Sequence, residues 1–530
     1  MGPAETLQLE RRGKRGAATD GGGRMTGWPH RPVIYEVNTA VWLAELSQAA
    51  GAPVTLATVP DSGWDAVTPS GADAVWLMGV WERSPAGLEL ARSNPGLLES
   101  FREALPDVRE QDIIGSPYCV HRYVADQRFG GPSGLAAARA ALAARGVRLI
   151  LDYVPNHVAP DHPWVTARPE YFIQGDEDDV KSDPAGWLSV GGHVLAHGRD
   201  PYFPPWPDVV QLNAFAPEVR AATAQTLSDI ADQCDGMRCD MAMLMTNDVF
   251  ARTWGDRAGP RPDEEFWPAV IGELRARHPE TVLIAEAYWD MEWTLQQQGF
   301  DFCYDKRLYD RILAGDPPAT RGHLLADLGY QSGLLRFLEN HDEPRIADRL
   351  PAVLERPAAV AIATLPGAIM WHEGQFEGRR VRPPVFLQRR PAEPPDEELA
   401  AWYRQLVATV ADQGVRTGGW QLLEAAGWPD NRSCANLVAW SWTPGAGDGG
   451  GDSPGDGGAR HVIVVNLSAA PAQARIPLPW PDLPGRGWRL TDLLSAEEFD
   501  RDGGELTEPG LFVDMGPGQS YLLAITEATR

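Results

Sequence analysis

From Pro32 onward the chain alternates short apolar runs with stretches of helical periodicity. The runs Val33–Val37, Ala74–Met78, Arg148–Val154, Gly236–Asp240, Val282–Glu286, Phe302–Tyr304, Leu334–Leu338 and Ala368–Trp371 predict eight strands apolar enough to be buried on both faces. Helical stretches lie between them, such as the Ala-rich Gly134–Arg145, which ends at Gly146, and Val219–Gln233. Eight strands with intervening helices predict an α/β fold, a closed (β/α)8 TIM barrel. The alternative is an open doubly wound sheet, which the lack of a Gly-rich phosphate loop after the first strand weakens.

Two stretches break the rhythm. Between the third and fourth strands runs a long irregular segment rich in Pro, Gly and aromatics, including HGRDPYFPPWPD, which reads as a small loop-built domain over one end of the barrel. After the helical pattern Glu397–Asp412 come alternating strands such as NLVAWSW and HVIVVNLS, an antiparallel β domain. The expected division is a disordered tail (1–27), the first part of the barrel (28–157), the inserted domain (158–212), the rest of the barrel (213–413) and a C-terminal β domain (414–530). Within the last, GAGDGGGDSPGDGG reads as a flexible hairpin insertion.

Composition narrows the partners. The 530 residues include 73 acidic and 47 basic side chains, a net charge of -26, which repels nucleic acid and anionic lipid but not a neutral ligand. Five cysteines without CxxC spacing argue against a disulfide framework or a zinc site. No apolar run approaches membrane-spanning length, and MGPAETLQLERRGKRGAATDGGGRM has no apolar signal core, so the expected compartment is the cytoplasm, with Met25 as a second candidate start. The oligomeric state is left open.

Chemistry in a parallel barrel sits at the C-terminal ends of the strands. Four endings here are loaded: LILDYVPNH with Asp152, Asn156 and His157; GMRCD with Arg238 and Asp240; VLIAEAYW with Glu286; and FLENHDEPR with His341 and Asp342. On a strand, Arg238 and Asp240 share a face, and the arginine holds the carboxylate ionised and oriented, as suits a nucleophile. Glu286 follows an apolar run and is expected to be desolvated, as suits a proton donor. Two such carboxyls facing each other across a barrel mouth describe glycoside hydrolysis, with Asp342 as a third acid for sugar hydroxyls or the oxocarbenium-like transition state. Taken singly, each is more often a structural ion pair, a solvated strand end or a hydrogen-bonded loop; the four together, in this order, favour the chemical reading.

DYVPNH, GMRCD, AEAYW and ENHD resemble the four ordered sequence regions of glycoside hydrolase family 13, the α-amylase family. The resemblance spans about residues 33–371 and implies a barrel, a protruding domain after the third strand and a C-terminal β-sandwich. It implies Asp240 as nucleophile, Glu286 as general acid/base and Asp342 as the third acid. Arg238 matches the arginine that orients the nucleophile, His157 and His341 the histidines that bind sugar, Tyr118 the tyrosine that stacks on it, and Asp152 the acid supporting the arginine. Trp289 is a candidate for the acceptor site, together with the aromatics near Tyr202. The expected substrate is an α-glucosyl oligosaccharide, cleaved with retention through a covalent glycosyl-enzyme. Transglycosylation or disaccharide isomerisation is the near alternative. A non-catalytic glucan-binding or partner protein is the remote one, since all three carboxylates are present.

The chain also departs from the family pattern. Met243 and Leu244 stand where starch-cleaving members have Lys-His, and VQLN places Gln211 where PDLN has an acid. NHDEPR is similar to the NHDQPR of oligosaccharide-cleaving α-glucosidases. Asn156 matches a calcium ligand of some members, but no set of hard oxygen ligands accompanies it, so no cofactor is expected and calcium is kept as an alternative. Finally, EGQFEGRRVRPPVFLQRR gathers Arg379, Arg380, Arg382, Arg389 and Arg390 after the eighth strand. These predict ion pairs with nearby acids, or else a site for an anion such as a sugar phosphate.

Overall fold

The computed structural model describes residues 27–445 and 459–528. The expected N-terminal tail and most of the Gly/Asp-rich insertion lie outside the described residues. Eight strands close into a parallel barrel: β1 (Val33–Asn38), β2 (Ala74–Met78), β3 (Arg148–Tyr153), β4 (Gly236–Cys239), β5 (Val282–Ala285), β6 (Phe302–Tyr304), β7 (Leu334–Arg336) and β8 (Ala368–His372). Each pairs with its neighbours in sequence, and β1 closes the ring against β8. Ile34, Trp76, Ile150, Ile284, Tyr304 and Met370 fill the interior, while Val37, Leu77, Leu149, Leu151 and Met237 pack outward under the helices. Burial on both faces is why these strands read as apolar runs.

Helices Gly131–Ala143 and Pro217–Ala231 begin two or three residues before the predicted starts, because Pro132 and Pro217 occupy first-turn positions where the missing N–H costs nothing. Strands β4 and β5 stop one residue short of Asp240 and Glu286. Both acids therefore stand on the first loop residue, held by ladder-like bonds from Asp240 N to Tyr153 O (2.8 Å) and from Glu286 N to Cys239 O (3.0 Å).

The segment after β3 carries a four-stranded antiparallel sheet in the order His157–Val158, Trp206–Gln211, His193–Gly198, Trp187–Val190. Val158, Phe172, Leu195, Val210 and Leu212 form its own small core. Beyond residue 418 a six-stranded antiparallel sheet faces the pair Ala472–Ile476 and Leu511–Met515, enclosing Leu437, Val462, Val464, Ala474, Val513 and Leu523. Its other face turns Trp440 and Trp442 onto the barrel, where both indoles donate to Thr364 O (3.2 and 2.8 Å).

Candidate active site

Arg238 is the hub of the barrel mouth. It is fully buried, pairs in register with Asp152 on β3, and is ringed by Trp76, Tyr118 and Tyr304 with its guanidinium carbon 5.3–5.7 Å from the three ring centres. Nη1 donates to Asp240 Oδ1 at 2.6 Å, and Nη2 pairs with Glu286 Oε2 at 2.9 Å. Asp342 Oδ2 lies 3.9 Å from Nη2 and Asp152 Oδ1 lies 4.0 Å from Nη1. One guanidinium thus gathers four carboxyls. Burial opposes its charge, but Glu286, the tyrosines and Asp240 outweigh that and hold it well above the ordinary arginine value.

Glu286 is fixed from three sides. Met241 N donates to Oε2 (2.6 Å), Tyr288 OH donates to Oε1 (3.0 Å), and Arg238 pairs from below. Presenting that amide requires Met241 to take a left-handed conformation with φ 40°, a costly choice for a side-chain-bearing residue placed directly after Asp240. Burial raises the Glu286 carboxyl, Arg238 pulls it back, and the charges of Asp240 and Asp342 push it up again, to about 7. Asp342 goes the other way. Burial would raise it, but His341 and Arg238 hold it below the usual carboxylate range, although 41% of its side chain still meets screening solvent.

A cavity of about 310 Å³ lies above these groups. Tyr118, His157, Asp240, Glu286 and Asp342 line it. Arg238 and Asp152 form the layer beneath, with Asp152 Oδ2 accepting from Gly79 N (2.8 Å) and burial lifting its carboxyl to about 6 against the pull of Arg238. Burial lowers His157 to about 4, only partly countered by Asp240, so its ring is neutral near pH 7. His341 stands behind Asp342 and Tyr118 and contacts both. Trp289 is not part of the cavity wall. It packs edge-on against Tyr202, 4.9 Å between ring centres, beside Phe203, which is 66% exposed.

The wall also contains residues that sequence reasoning passed over: Trp206 and Asp208 from the inserted sheet, Tyr288 two residues after Glu286, and Phe386 from the loop after β8. Burial raises Asp208 to about 6. Strand alternation from Glu286 would have found Tyr288, and the aromatic run before VQLN pointed towards Trp206. Phe386 was hidden among arginines.

Those arginines are largely consumed by acids. Arg389 pairs with Asp107 and Asp112, Arg390 with Glu45 and Glu373, and Arg380 with Asp348, while Arg379 donates to Glu393 O. Arg382 alone reaches the mouth, donating to Asp342 O at 2.7 Å.

Asn156 does not sit in a cation cage. Gln211 Nε2 donates to Asn156 Oδ1, Asn156 O and Leu212 O, each at 2.9 Å, and Gln211 Oε1 accepts from Asn156 Nδ2 at 3.2 Å. The oxygens that a calcium ion would need converge instead on an amide nitrogen, so this donor set does not fit the ion. Among the described residues, no three His, Cys, Asp or Glu side chains converge as a metal site.

No family model matches the chain. By sequence it is similar to an α-amylase of Haloarcula japonica, 23% identical over 484 residues that cover 89% of this chain and 59% of that protein. It is also similar to an α-1,4-glucan:maltose-1-phosphate maltosyltransferase of Burkholderia pseudomallei, 27% identical over 216 residues, 39% of this chain and 16% of that one. The chain therefore spans less than two thirds of the length of these curated relatives. The crystal structure of an α-amylase from H. orenii superposes with a TM-score of 0.66 at 18% identity, covering 94% of this chain and 100% of that chain. These likenesses bear out the resemblance to the α-amylase family, glycoside hydrolase family 13. The closed barrel brings Asp240, Glu286 and Asp342 together at its mouth. Among the described residues, no helix is long and apolar enough to cross a membrane.

Proposed function

We propose that the protein is a retaining α-glycoside-active enzyme working on α-glucosyl saccharides. The observation that carries this reading is the grip of one buried guanidinium on both Asp240 and Glu286 at the floor of a 310 Å³ cavity. Adjacent nitrogens of one arginine hold the two carboxyls, which favours the short separation, about 5–5.5 Å, of double displacement. Glu286 protonates the leaving oxygen while Asp240 attacks the anomeric carbon. Water, deprotonated by Glu286, then releases the sugar with its configuration retained. Asp342 holds ring hydroxyls. Asp152, Asp208, Asp240, Glu286 and Asp342 leave the mouth with more negative than positive charge, which stabilises a developing oxocarbenium ion.

The likeness of NHDEPR to the NHDQPR of oligosaccharide-cleaving α-glucosidases favours oligosaccharides as substrate. The Tyr202–Trp289 pair beside Phe203 offers aromatic faces outside the cavity, where an acceptor sugar would stack and compete with water. That favours glucosyl transfer as the second reading, in line with the similarity to a maltosyltransferase. With Arg380, Arg389 and Arg390 paired to acids, a phosphate-bearing substrate would depend on Arg382. Five cysteines without CxxC spacing favour a reducing compartment such as the cytoplasm.

The test is to incubate the protein with maltose, maltotriose, sucrose, trehalose and soluble starch and follow products by NMR. Short α-glucosides should turn over faster than starch, with the α-anomer formed first. A β-anomer as first product, or no turnover of any α-glucoside, would sink the reading.

A further inference from the structure

Glu36 lies in the middle of the apolar strand β1, flanked in register by Trp76 on β2 and His372 on β8, and is completely buried. Its Oε1 is 2.5 Å from His341 Nδ1, while Oε2 has no hydrogen-bond partner. On the other side of the ring, His341 Nε2 is 2.8 Å from Asp342 Oδ2 and 2.7 Å from the Tyr118 hydroxyl. A carboxylate only accepts hydrogen bonds, so a nitrogen held this close to one must carry a proton. Both ring nitrogens of His341 face carboxylates. Neither neutral tautomer satisfies the two contacts; the imidazolium does.

We propose that Glu36 is a positioning residue that locks His341 as a doubly donating cation, through which Asp342 and Tyr118 are aimed at the bound sugar. This rests on the reaction proposed above. Without Glu36, a neutral His341 would keep its one proton on Nε2, towards Asp342, and lose both the positive charge and the Nδ1 anchor that fix the ring against Asp342 and Tyr118. Tyr118 stacks on the same ring (5.4 Å, 22°), and Trp76 abuts it edge-on, so the ring has no room to swivel. The other charged or titratable groups facing it are Arg238 on β4, Asp152 on β3 and His372 on β8. Arg238 disfavours the cation and Asp152 favours it, while burial and the charges of Arg345 and His341 keep His372 neutral. Burial also opposes the charge, yet Asp342 and Glu36 together lift His341 to about 10.

The experiment is a pH titration of the full chain labelled with 15N-histidine, His341 being assigned from the spectrum of His341→Gln. In the unsubstituted protein the His341 ring should stay protonated on both nitrogens through pH 8. In Glu36→Gln its midpoint should fall by about one unit or more. The kcat of Glu36→Gln should drop on the order of tenfold with a smaller change in KM, since orientation more than ground-state binding is lost. Glu36→Asp, which keeps the charge, should recover part of both. A His341 that titrates near about 6.5 in the unsubstituted protein, as an ordinary histidine does, overturns the proposal. So does a midpoint that Glu36→Gln leaves in place. If Glu36→Gln does not fold, the first titration still decides. Ring protonation is read without turnover, so an inactive protein would refute the reaction while leaving this inference to stand or fall on its own.

Discussion

A general acid works only while it holds its proton. Burial, with Asp240 and Asp342 against Arg238, lifts Glu286 to about 7, so the protonated form predominates below that pH and is lost as pH rises through it. Activity on substrates with poor leaving groups should therefore decline on the alkaline side with a midpoint near this value. Glu286→Gln should lose about 10²–10⁴-fold in kcat, less on glycosides with good leaving groups, and should lose the alkaline limb. A pH–rate profile of both proteins checks this; an unchanged limb in the variant would assign it to another group. At this scale the sequence was legible where an acid directly follows an apolar run, as at Glu286 after Val282–Ala285. It was opaque where a charge sits inside one. Glu36 in VIYEVN looks like a tolerated polar residue until the closed barrel brings it, from the other end of the chain, against His341. Met241 was equally hidden, because its role lies in its backbone and not in its side chain.

At the scale of elements, the joint between barrel and inserted sheet depends on Gln211. Its amide is buried, and its nitrogen donates to three oxygens of Asn156 and Leu212. Gln211→Ala would strand those acceptors at about 1–3 kcal/mol for each left unsatisfied, so the unfolding midpoint should fall by several degrees. EDTA should leave the midpoint of the unsubstituted protein where it is, because an amide occupies the place a cation would need. A scanning-calorimetry series with and without EDTA reads both, and an EDTA-induced drop would contradict the amide lock. The substitution itself was visible in VQLN, but not its consequence, since Asn156 and Gln211 are 55 positions apart and meet only when His157 pairs with Gln211 across the sheet. Strand positions were easier to read: double-sided burial produces uninterrupted apolar runs, and all eight appear in the barrel.

For the molecule as a whole, charge and shape agree. A strongly acidic chain with a net charge of -26 surrounds a mouth dominated by carboxyls, which suits a neutral substrate whose transition state is cationic. The C-terminal sheet has one face for its own core and another, led by Trp440 and Trp442, for the barrel. Its alternating pattern revealed strands but not which face met which partner, because both faces are apolar. The proposed mechanism converges on one bond, between Asp240 and an anomeric carbon. The most direct measurement is to react the protein with a slowly deglycosylated 5-fluoro-α-glucosyl fluoride, digest it, and locate the added mass by tandem mass spectrometry. The proposed mechanism predicts one fluoroglucosyl group, on Asp240, absent from Asp240→Asn. Label on another carboxyl, or complete turnover of an α-glucoside by Asp240→Asn, would contradict it.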